Sequence, residues 1–326
     1  MVVDLAGRLG FEVQKIQYLD SQICKLQSIT DPNCRLSAVE ELVRKHPKHP
    51  KPHFELAGCF QALRDPRQFE QMNRFGKVWW EWLEETGLAE LDMEFIWPGM
   101  VIGSFGNLFA IEGLLKANQY GLRPARKPFL LLPESAQPRN PALFEYFEPH
   151  LHVIRGKEII QSLKRLESLL VLPLGLSLPL NDSCPIIDLV ANRVEIEREK
   201  QGLKPDLFRL SNQHREMGMQ VLEKLGLPKD AWYVTVHVRE PGYRGETHAN
   251  TTENWRNANP IDYIKAIKAV TSAGGWIFRM GDPSMMPLPQ MPQVIDYAHH
   301  KIRCDWMDVF LGATCRFCIG TGSGYF

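Results

Sequence analysis

A histidine and an arginine at the end of one predicted strand give the clearest chemical signal in this sequence. The run Val236-His237-Val238-Arg239-Glu240 closes an apolar segment and is followed by a polar loop, residues 241–257. Residues two apart on a strand lie on one face, and open α/β sheets bind ligands beyond the carboxyl ends of their strands. The planar donors of an arginine suit a diphosphate. The pair indicates an anion site, although an arginine paired with an aspartate and a histidine satisfied by backbone would explain the same residues.

A glycine-rich turn supplies the second signal. The run Gly320-Thr321-Gly322-Ser323-Gly324 directly follows another predicted strand. Small residues let backbone N–H groups approach a phosphate closely, and the hydroxyls of Thr321 and Ser323 add donors. Glycine-serine turns are common after strands, so this motif alone does not define a phosphate site.

The spacing Cys315-x-x-Cys318 occurs in both redox dithiols and zinc sites. A redox dithiol has its first cysteine at a helix N-terminus, whereas these two lie at the start of a predicted strand and within it. A zinc site needs four ligands, and Cys304 and the pair His299-His300 are the only candidates to complete it. We interpret Cys315 and Cys318 as buried structural thiols.

The first of three predicted domains, residues 1–92, is helical. Its apolar positions recur at helical spacing, and Pro47, Pro50 and Pro66 mark the breaks between helices. The pattern resembles one tetratricopeptide-like hairpin, and about three such units are needed for a free-standing solenoid. We therefore expect a helical appendage that packs on the residues that follow.

The remaining chain alternates short apolar runs with amphipathic helices, which is typical of an α/β fold. We divide it into Rossmann-like domains at residues 93–205 and 206–326. The first is predicted to hold strands at 100–102, 129–132, 152–154 and 169–172, a helix at 158–167 and a solvated connector at 192–204. The second is predicted to hold helices at 211–225, 261–270 and 304–313 and strands at 232–238, 276–280, 294–297 and 316–319. Because a βαβ unit continues with a helix, we expect the second domain to be truncated after its glycine-rich turn or to have lost its remaining helix.

The composition excludes several classes of protein. The chain has 326 residues, with 38 Lys+Arg against 38 Asp+Glu, so it lacks the basic field that a nucleic-acid binder needs. Its N-terminus has no signal-peptide pattern, and its most apolar stretch, residues 169–180, is interrupted by prolines and shorter than a membrane span. The seven cysteines are odd in number and are interpreted as reduced. These features predict a cytoplasmic protein without an integral membrane segment.

Several motifs together resemble one enzyme family. The strand-end His237-x-Arg239, the later strand that ends in Arg279-Met280-Gly281-Asp282, and the final turn are similar to the nucleotide-sugar domain of fucosyltransferase-like GT-B glycosyltransferases. The run Gly103-Ser104-Phe105-Gly106-Asn107 resembles the Gly-Arg-Phe-Gly-Asn loop of protein O-fucosyltransferases and related α1,2-fucosyltransferases. The resemblance covers residues 95–326, and within that group it is strongest to a bacterial family of proposed glycosyltransferases. It implies a GT-B-like pair of Rossmann-like domains.

The resemblance assigns donor-binding roles to residues of the second domain. Arg239 would grip the donor diphosphate, and His237 would line the same pocket. Thr321 and Ser323 would donate hydrogen bonds to the phosphates. Enzymes of this kind need no metal or other cofactor, because cationic side chains stabilise the departing nucleoside diphosphate.

The resemblance also implies roles nearer the nucleoside and the acceptor. Asp282 would read the base or ribose, with Arg279 beside it, and Asn107 would reach the cleft from the first domain. Glu240 and Glu246 are the nearest acids that could act as general base toward an acceptor hydroxyl, although a solvated loop charge would equally explain either residue and is the better explanation for Glu246.

Two positions depart from the family pattern. Ser104 replaces the arginine of the first loop, and Gly242 stands where the family often has an acid. A chain with these changes could use another donor, recruit Arg244 or Arg256, or be a weak enzyme.

Three functions remain open on these residues. The first is transfer of a sugar from a nucleotide diphosphate donor, with GDP-fucose as the family-level choice, to a hydroxyl of a glycan or glycolipid. The second is a degenerate, non-catalytic interaction protein that binds a protein partner through residues 1–92. The third is a different nucleotide-dependent α/β enzyme.

Overall fold

The computed structural model describes residues 2–240 and 256–322, which form an α/β fold with parallel sheets. The helices are α1 (Val2–Gln27), α2 (Pro32–Lys45), α3 (Pro50–Ala62), α4 (Arg67–Thr86), α5 (Gly99–Ile102), α6 (Leu108–Gln119), α7 (Pro141–Phe147), α8 (Lys157–Leu170), α9 (Ile187–Gln201), α10 (Asn212–Lys224), α11 (Ile264–Ser272) and α12 (Asp305–Thr314). The strands are β1 (Met93–Ile96), β2 (Lys127–Leu131), β3 (His152–Ile154), β4 (Tyr233–His237), β5 (Trp276–Arg279), β6 (Val294–Ile295) and β7 (Cys318–Gly320).

The chain divides into two compact units. The first unit comprises Met1–Gly103, Asn107–Gln137 and Glu148–Leu207, and the second comprises Ser104–Gly106, Pro138–Phe147 and Phe208–Phe326. The helices of residues 1–92 belong to the same unit as the first sheet. No helix in the described ranges combines the length and the apolar character needed to cross a membrane.

The helices of residues 1–92 begin and end where the prolines predict. Asp31 precedes α2 and its side chain accepts a hydrogen bond from the Cys34 N–H at 2.7 Å, with Pro32 at the first helical position. Pro50 opens α3 in the same way. Gly87 ends α4 with a φ of 77°, a left-handed conformation that favours glycine. The predicted helical character of this segment is confirmed.

The first sheet has the order β1-β2-β3, with all strands parallel. The prediction of a strand at residues 100–102 is wrong, because these residues form α5 and the strand lies earlier, at Met93–Ile96. A short apolar run fits a helix turn as well as a strand. The true strand contains the charged Glu94, which is buried because Arg123 pairs with it through both carboxylate oxygens, at 3.1 and 2.5 Å.

Two further predictions for the first α/β segment are corrected. Residues 169–172 are not a strand: Leu169 and Leu170 end α8, and Val171 forms an isolated bridge to Phe95. Residues 192–204, predicted as a connector, largely belong to α9. The charged residues of α9 had suggested a solvated segment, but Val190 and Val194 are buried four residues apart on one face.

The second sheet has the order β6-β5-β4-β7, again with all strands parallel. Its four predicted strands are confirmed within a few residues. The two faces alternate: Tyr233 and Phe278 pack against α10 and α12, whereas Val234 and Ile277 pack against α11. The carboxyl ends of β4, β5 and β7 therefore lie along one edge.

One glycine allows α10 and α12 to pack closely on this sheet. A Cβ at Gly218 of α10 would lie 2.3 Å from the ring of Phe310 in α12. The Ser211 hydroxyl starts α10 by accepting the His214 N–H at 3.1 Å. These contacts fix the covering layer behind β4 and β5.

Candidate functional site

Thr321 joins the ends of β4 and β7. Its N–H donates to the carbonyl oxygen of His237 at 3.1 Å, and its hydroxyl oxygen accepts the N–H of Arg239 at 2.7 Å. The structure thus brings together the His-x-Arg motif and the glycine-rich turn, which lie more than 80 residues apart in the chain. This strand edge is where an open α/β sheet binds its ligands.

Arg256 contributes a second cation to this edge. Its Nε and Nη2 donate to the carbonyl oxygen of Gly322 at 3.0 and 2.8 Å. A backbone hydrogen bond also joins the segment after Arg256 to the end of β4: the Ala258 N–H donates to the carbonyl oxygen of Arg239 at 3.0 Å. Arg256, which the sequence offered only as a substitute cation, therefore lies beside the glycine-rich turn.

Several residues of the predicted site lie outside the described ranges. These are Gly242, Arg244, Glu246 and Ser323. The donor-binding role of Ser323 stays a prediction.

His237 is a neutral residue at this edge. Burial, and to a lesser extent the nearby positive charge of Arg279, lower the pKa of its imidazole to about 4. At neutral pH the ring therefore carries no charge. It can offer hydrogen bonds to a ligand, but it cannot supply positive charge to a diphosphate.

Arg279 is fully buried between two carboxylates. Its Nη2 donates to Glu240 Oε1 at 2.5 Å and its Nη1 lies 3.5 Å from Asp296 Oδ1. The other oxygen of each carboxylate holds the loop after β5: Glu240 Oε2 accepts the Met286 N–H at 2.8 Å, and Asp296 Oδ2 accepts the Leu288 N–H at 2.9 Å. This set, which we call the Arg279 network, fixes the loop against the end of β4.

The Arg279 network bears on two predicted roles. Both oxygens of Glu240 already accept hydrogen bonds, and the Arg279 side chain has no exposed surface. A carboxylate held in this way is a poor acceptor for the proton of a substrate. The geometry favours a positioning role for both residues, and their direct roles in catalysis and donor binding stay predictions.

Asp282 follows β5 in a tight turn. Its Oδ1 accepts the Ser284 N–H at 3.0 Å. Burial raises the pKa of Asp282, but the bonds from Ser284 and the charges of Arg303 and Arg139 outweigh it and leave the pKa below its usual value. The preceding Gly281 has a φ of 149°, and a Cβ there would lie 2.4 Å from the sulfur of Met285. Asp282 is therefore an ionised acceptor on a backbone that requires glycine, and its role toward a base or ribose stays a prediction.

Asn107 belongs to the other unit, where it directly precedes α6 without capping it through its side chain. Its proposed reach toward a donor stays a prediction. Asp296 is the main residue that sequence reasoning did not select for the site. Its position directly after β6 was the available signal, because acids and bases at strand ends share one sheet edge.

The interpretation of Cys315 and Cys318 as buried thiols is wrong. Cys315 is only half-buried and Cys318 is exposed, because β7 is an edge strand of the sheet as described. Their sulfurs lie 3.5 Å apart. Within residues 2–240 and 256–322, no three His, Cys, Asp or Glu side chains cluster in a way that could hold a metal ion.

Comparison of the chain with protein-family models gives no match. Comparisons with curated proteins and with solved structures give none either.

Proposed function

We propose that this protein is a glycosyltransferase that moves a sugar from a nucleotide diphosphate donor to a hydroxyl group on a glycan or glycolipid. The observation that carries the proposal is the double link of Thr321 to His237 and Arg239. It gathers a strand-end arginine and a glycine-rich turn at the edge where such sheets bind nucleotides. GDP-fucose is the donor that the family resemblance favours.

In the proposed reaction an acceptor oxygen bonds to the anomeric carbon while the bond to the donor phosphate breaks. Negative charge then grows on the departing diphosphate. Arg239, whose backbone N–H bonds to Thr321, and Arg256, whose side chain bonds to Gly322, would stabilise that charge. Neutral His237 would line the site without adding charge. A proton leaves the acceptor to a base, for which Glu246 is the better candidate because both oxygens of Glu240 already accept hydrogen bonds.

The finer fold assignment is part of the same proposal. We propose that the two parallel sheets are the halves of a GT-B-like pair and that the helices of residues 1–92 form a tetratricopeptide-like appendage. A cytoplasmic location fits a reaction that uses an activated nucleotide sugar.

Calorimetric titration and thermal unfolding with GDP, UDP, ADP and GDP-fucose test the proposal. A ligand at about a hundredfold excess over its Kd adds about 2.7 kcal/mol to the free energy of unfolding. Arg239→Lys should weaken binding although it keeps the charge, because it loses the planar fork of donors. Arg215→Lys, an exposed change on α10, is the matched control and should bind as the parent does. Equal affinity in both variants would contradict the diphosphate role of Arg239.

A non-catalytic interaction protein is the second candidate, and one observation favours it. Helix α1 exposes Phe11 and Tyr18, seven residues apart on one face, with 64% and 53% of their surfaces accessible. The absence of any shift with every nucleotide would support this candidate over the transferase. Binding of nucleotides without discrimination for a sugar would instead support another nucleotide-dependent enzyme.

A further inference from the structure

Cys315 and Cys318 form an exposed dithiol next to the candidate site. Cys315 directly follows α12, and Cys318 is the first residue of β7. Their sulfurs lie 3.5 Å apart, and a disulfide needs about 2.05 Å. A movement of about 1.5 Å would therefore bring them to bonding distance.

A buried threonine on the central strand contacts both thiols. The hydroxyl of Thr235 lies 2.8 Å from the Cys318 sulfur and 3.5 Å from the Cys315 sulfur. Thr235 and Cys318 are also register partners between β4 and β7. Closing the two sulfurs onto each other must change these contacts, because Thr235 itself is held in the middle of the sheet.

Strand β7 has only three residues, so a displacement of its first residue also displaces its last. Only Ile319 and Gly320 separate Cys318 from Thr321, whose N–H and hydroxyl hold the end of β4. A shift of Cys318 along or away from β4 therefore acts on the Thr321 link.

We propose that Cys315 and Cys318 are an oxidisable pair whose disulfide loosens the Thr321 link. The oxidant is a small-molecule disulfide such as oxidised glutathione. The thiolate of exposed Cys318 attacks one glutathione sulfur, forms a mixed disulfide and releases one glutathione thiolate. The Cys315 thiol, after losing its proton to solvent, attacks the Cys318 sulfur and releases the second. The pair loses two electrons and two protons, and one disulfide becomes two glutathione thiols.

Cys304 is the nearest competing cysteine in the chain, but α12 separates it from Cys315. It precedes the first residue of this ten-residue helix, whereas Cys315 follows the last. A helix of that length spans about 15 Å. The geometry therefore selects Cys315 as the partner of Cys318.

Tryptic mapping tests the bond directly, since Arg316 lies between the two cysteines. After treatment with oxidised glutathione, trypsin should release the peptide 304–316 linked to the peptide that begins at Phe317. Fragmentation should assign the bond to Cys315, and dithiothreitol should separate the peptides. The variant Cys318→Ser should abolish the link, whereas the double variant Cys24→Ser/Cys34→Ser, which removes the two exposed cysteines of the first unit, should keep it.

Hydrogen exchange tests the effect on the strand edge. Oxidation should make the amides of Arg239 and Thr321 exchange about five- to tenfold faster, the effect of weakening one hydrogen bond each. Oxidant-treated Cys318→Ser should show no change. A lasting mixed disulfide at Cys318 without the linked peptides, or a Cys315–Cys318 bond with unchanged exchange, would overturn the proposal. Neither readout needs a nucleotide, so failure here is distinct from failure of the transferase proposal.

Discussion

Replacing Arg279 by methionine should destabilise the protein strongly, because it leaves two carboxylates without their cation. In the native structure Arg279 is fully buried, and the side chain of Glu240 is 8% exposed. Methionine keeps much of the volume and removes the charge. Glu240 would then be buried with only the Met286 N–H as a partner.

The magnitude follows from the contacts that are lost. A charge-assisted hydrogen bond at 2.5 Å joins Arg279 to Glu240, whereas the 3.5 Å contact to Asp296 is long and weak. Breaking a buried pair by removing one partner costs about 3–5 kcal/mol, and the weakness of the second contact favours the lower end. We therefore expect a loss of about 3 kcal/mol in the free energy of unfolding. For a domain of this size it corresponds to a fall in Tm of roughly 6–12 °C.

A second substitution should recover part of this loss. In the double variant Arg279→Met/Glu240→Gln the uncompensated charge is gone, while the glutamine oxygen still accepts the Met286 N–H. We expect the double variant to be about 1–2 kcal/mol more stable than Arg279→Met alone. Urea unfolding of the parent, the two single variants and the double variant, monitored by circular dichroism, gives the double-mutant cycle. The control is Arg193→Met, which breaks an exposed pair with Asp182 and should leave the Tm almost unchanged.

Two results would refute this reasoning. One is an Arg279→Met variant that loses less than about 1 kcal/mol, since the pair would then contribute little to folding. The other is additive behaviour of the two substitutions, which would mean that Glu240 and Arg279 do not depend on each other. Either result would mean that Arg279 does not hold Glu240 in place at this strand edge.

Three further predictions test other parts of the fold. Thr321→Val should cost about 1–2 kcal/mol because a backbone N–H loses its acceptor, and should weaken binding of GDP, whereas Thr321→Ser should behave as the parent in urea unfolding and calorimetric titration. Gly218→Ala should destabilise by about 1–3 kcal/mol because its Cβ meets an aromatic ring, whereas Gly58→Ala, in a helix with no atom within 4 Å of the added carbon, should stabilise by up to about 1 kcal/mol. Burial lowers the pKa of His49 to about 3 in the folded protein. On acidification the unfolded chain therefore binds a proton at this residue before the folded protein does, and the free energy of unfolding falls as the pH drops below 6.5. The fall caused by His49 should be about 2 kcal/mol between pH 7 and pH 5. His49→Asn, which keeps a side-chain acceptor at the start of α3, should remove that part of the pH dependence in urea unfolding, and an unchanged profile would contradict it.

The two central strands of the second sheet could be predicted because β4 and β5 are largely buried and bounded by turn residues. Four consecutive residues of β4, Tyr233 to Val236, are buried, as expected for a parallel strand that is covered on both faces. The cap at Ser211 and the stop at Gly226 likewise marked α10 from local sequence alone. These features depend on neighbours a few residues away, so local sequence patterns are enough to predict them.

Strand β1 of the first sheet and the Arg279 network could not be predicted in this way because they depend on distant charges. A glutamate in the middle of β1 breaks the apolar pattern, and only its pairing with Arg123, 29 residues later, makes the strand possible. Similarly, Glu240 and Arg279 are 39 residues apart. No periodicity links such partners, so a charge at a strand end can belong to a ligand site or to the frame that supports it.

The contrast between Arg239 and Arg279 shows how the structure separates these two uses of one residue type. The Arg279 side chain forms ion pairs with Glu240 and Asp296, and its positive charge also helps to keep His237 neutral. An anion at that edge would meet a histidine without charge and a network already balanced by carboxylates. The positive charge for a diphosphate would then come from Arg239, which follows β4, and from Arg256, whose side chain bonds to the carbonyl oxygen of Gly322. An Arg256→Gln variant that bound GDP as tightly as the parent would show that Arg256 supplies none of the positive charge of the proposed site, and that Arg239 does not depend on it.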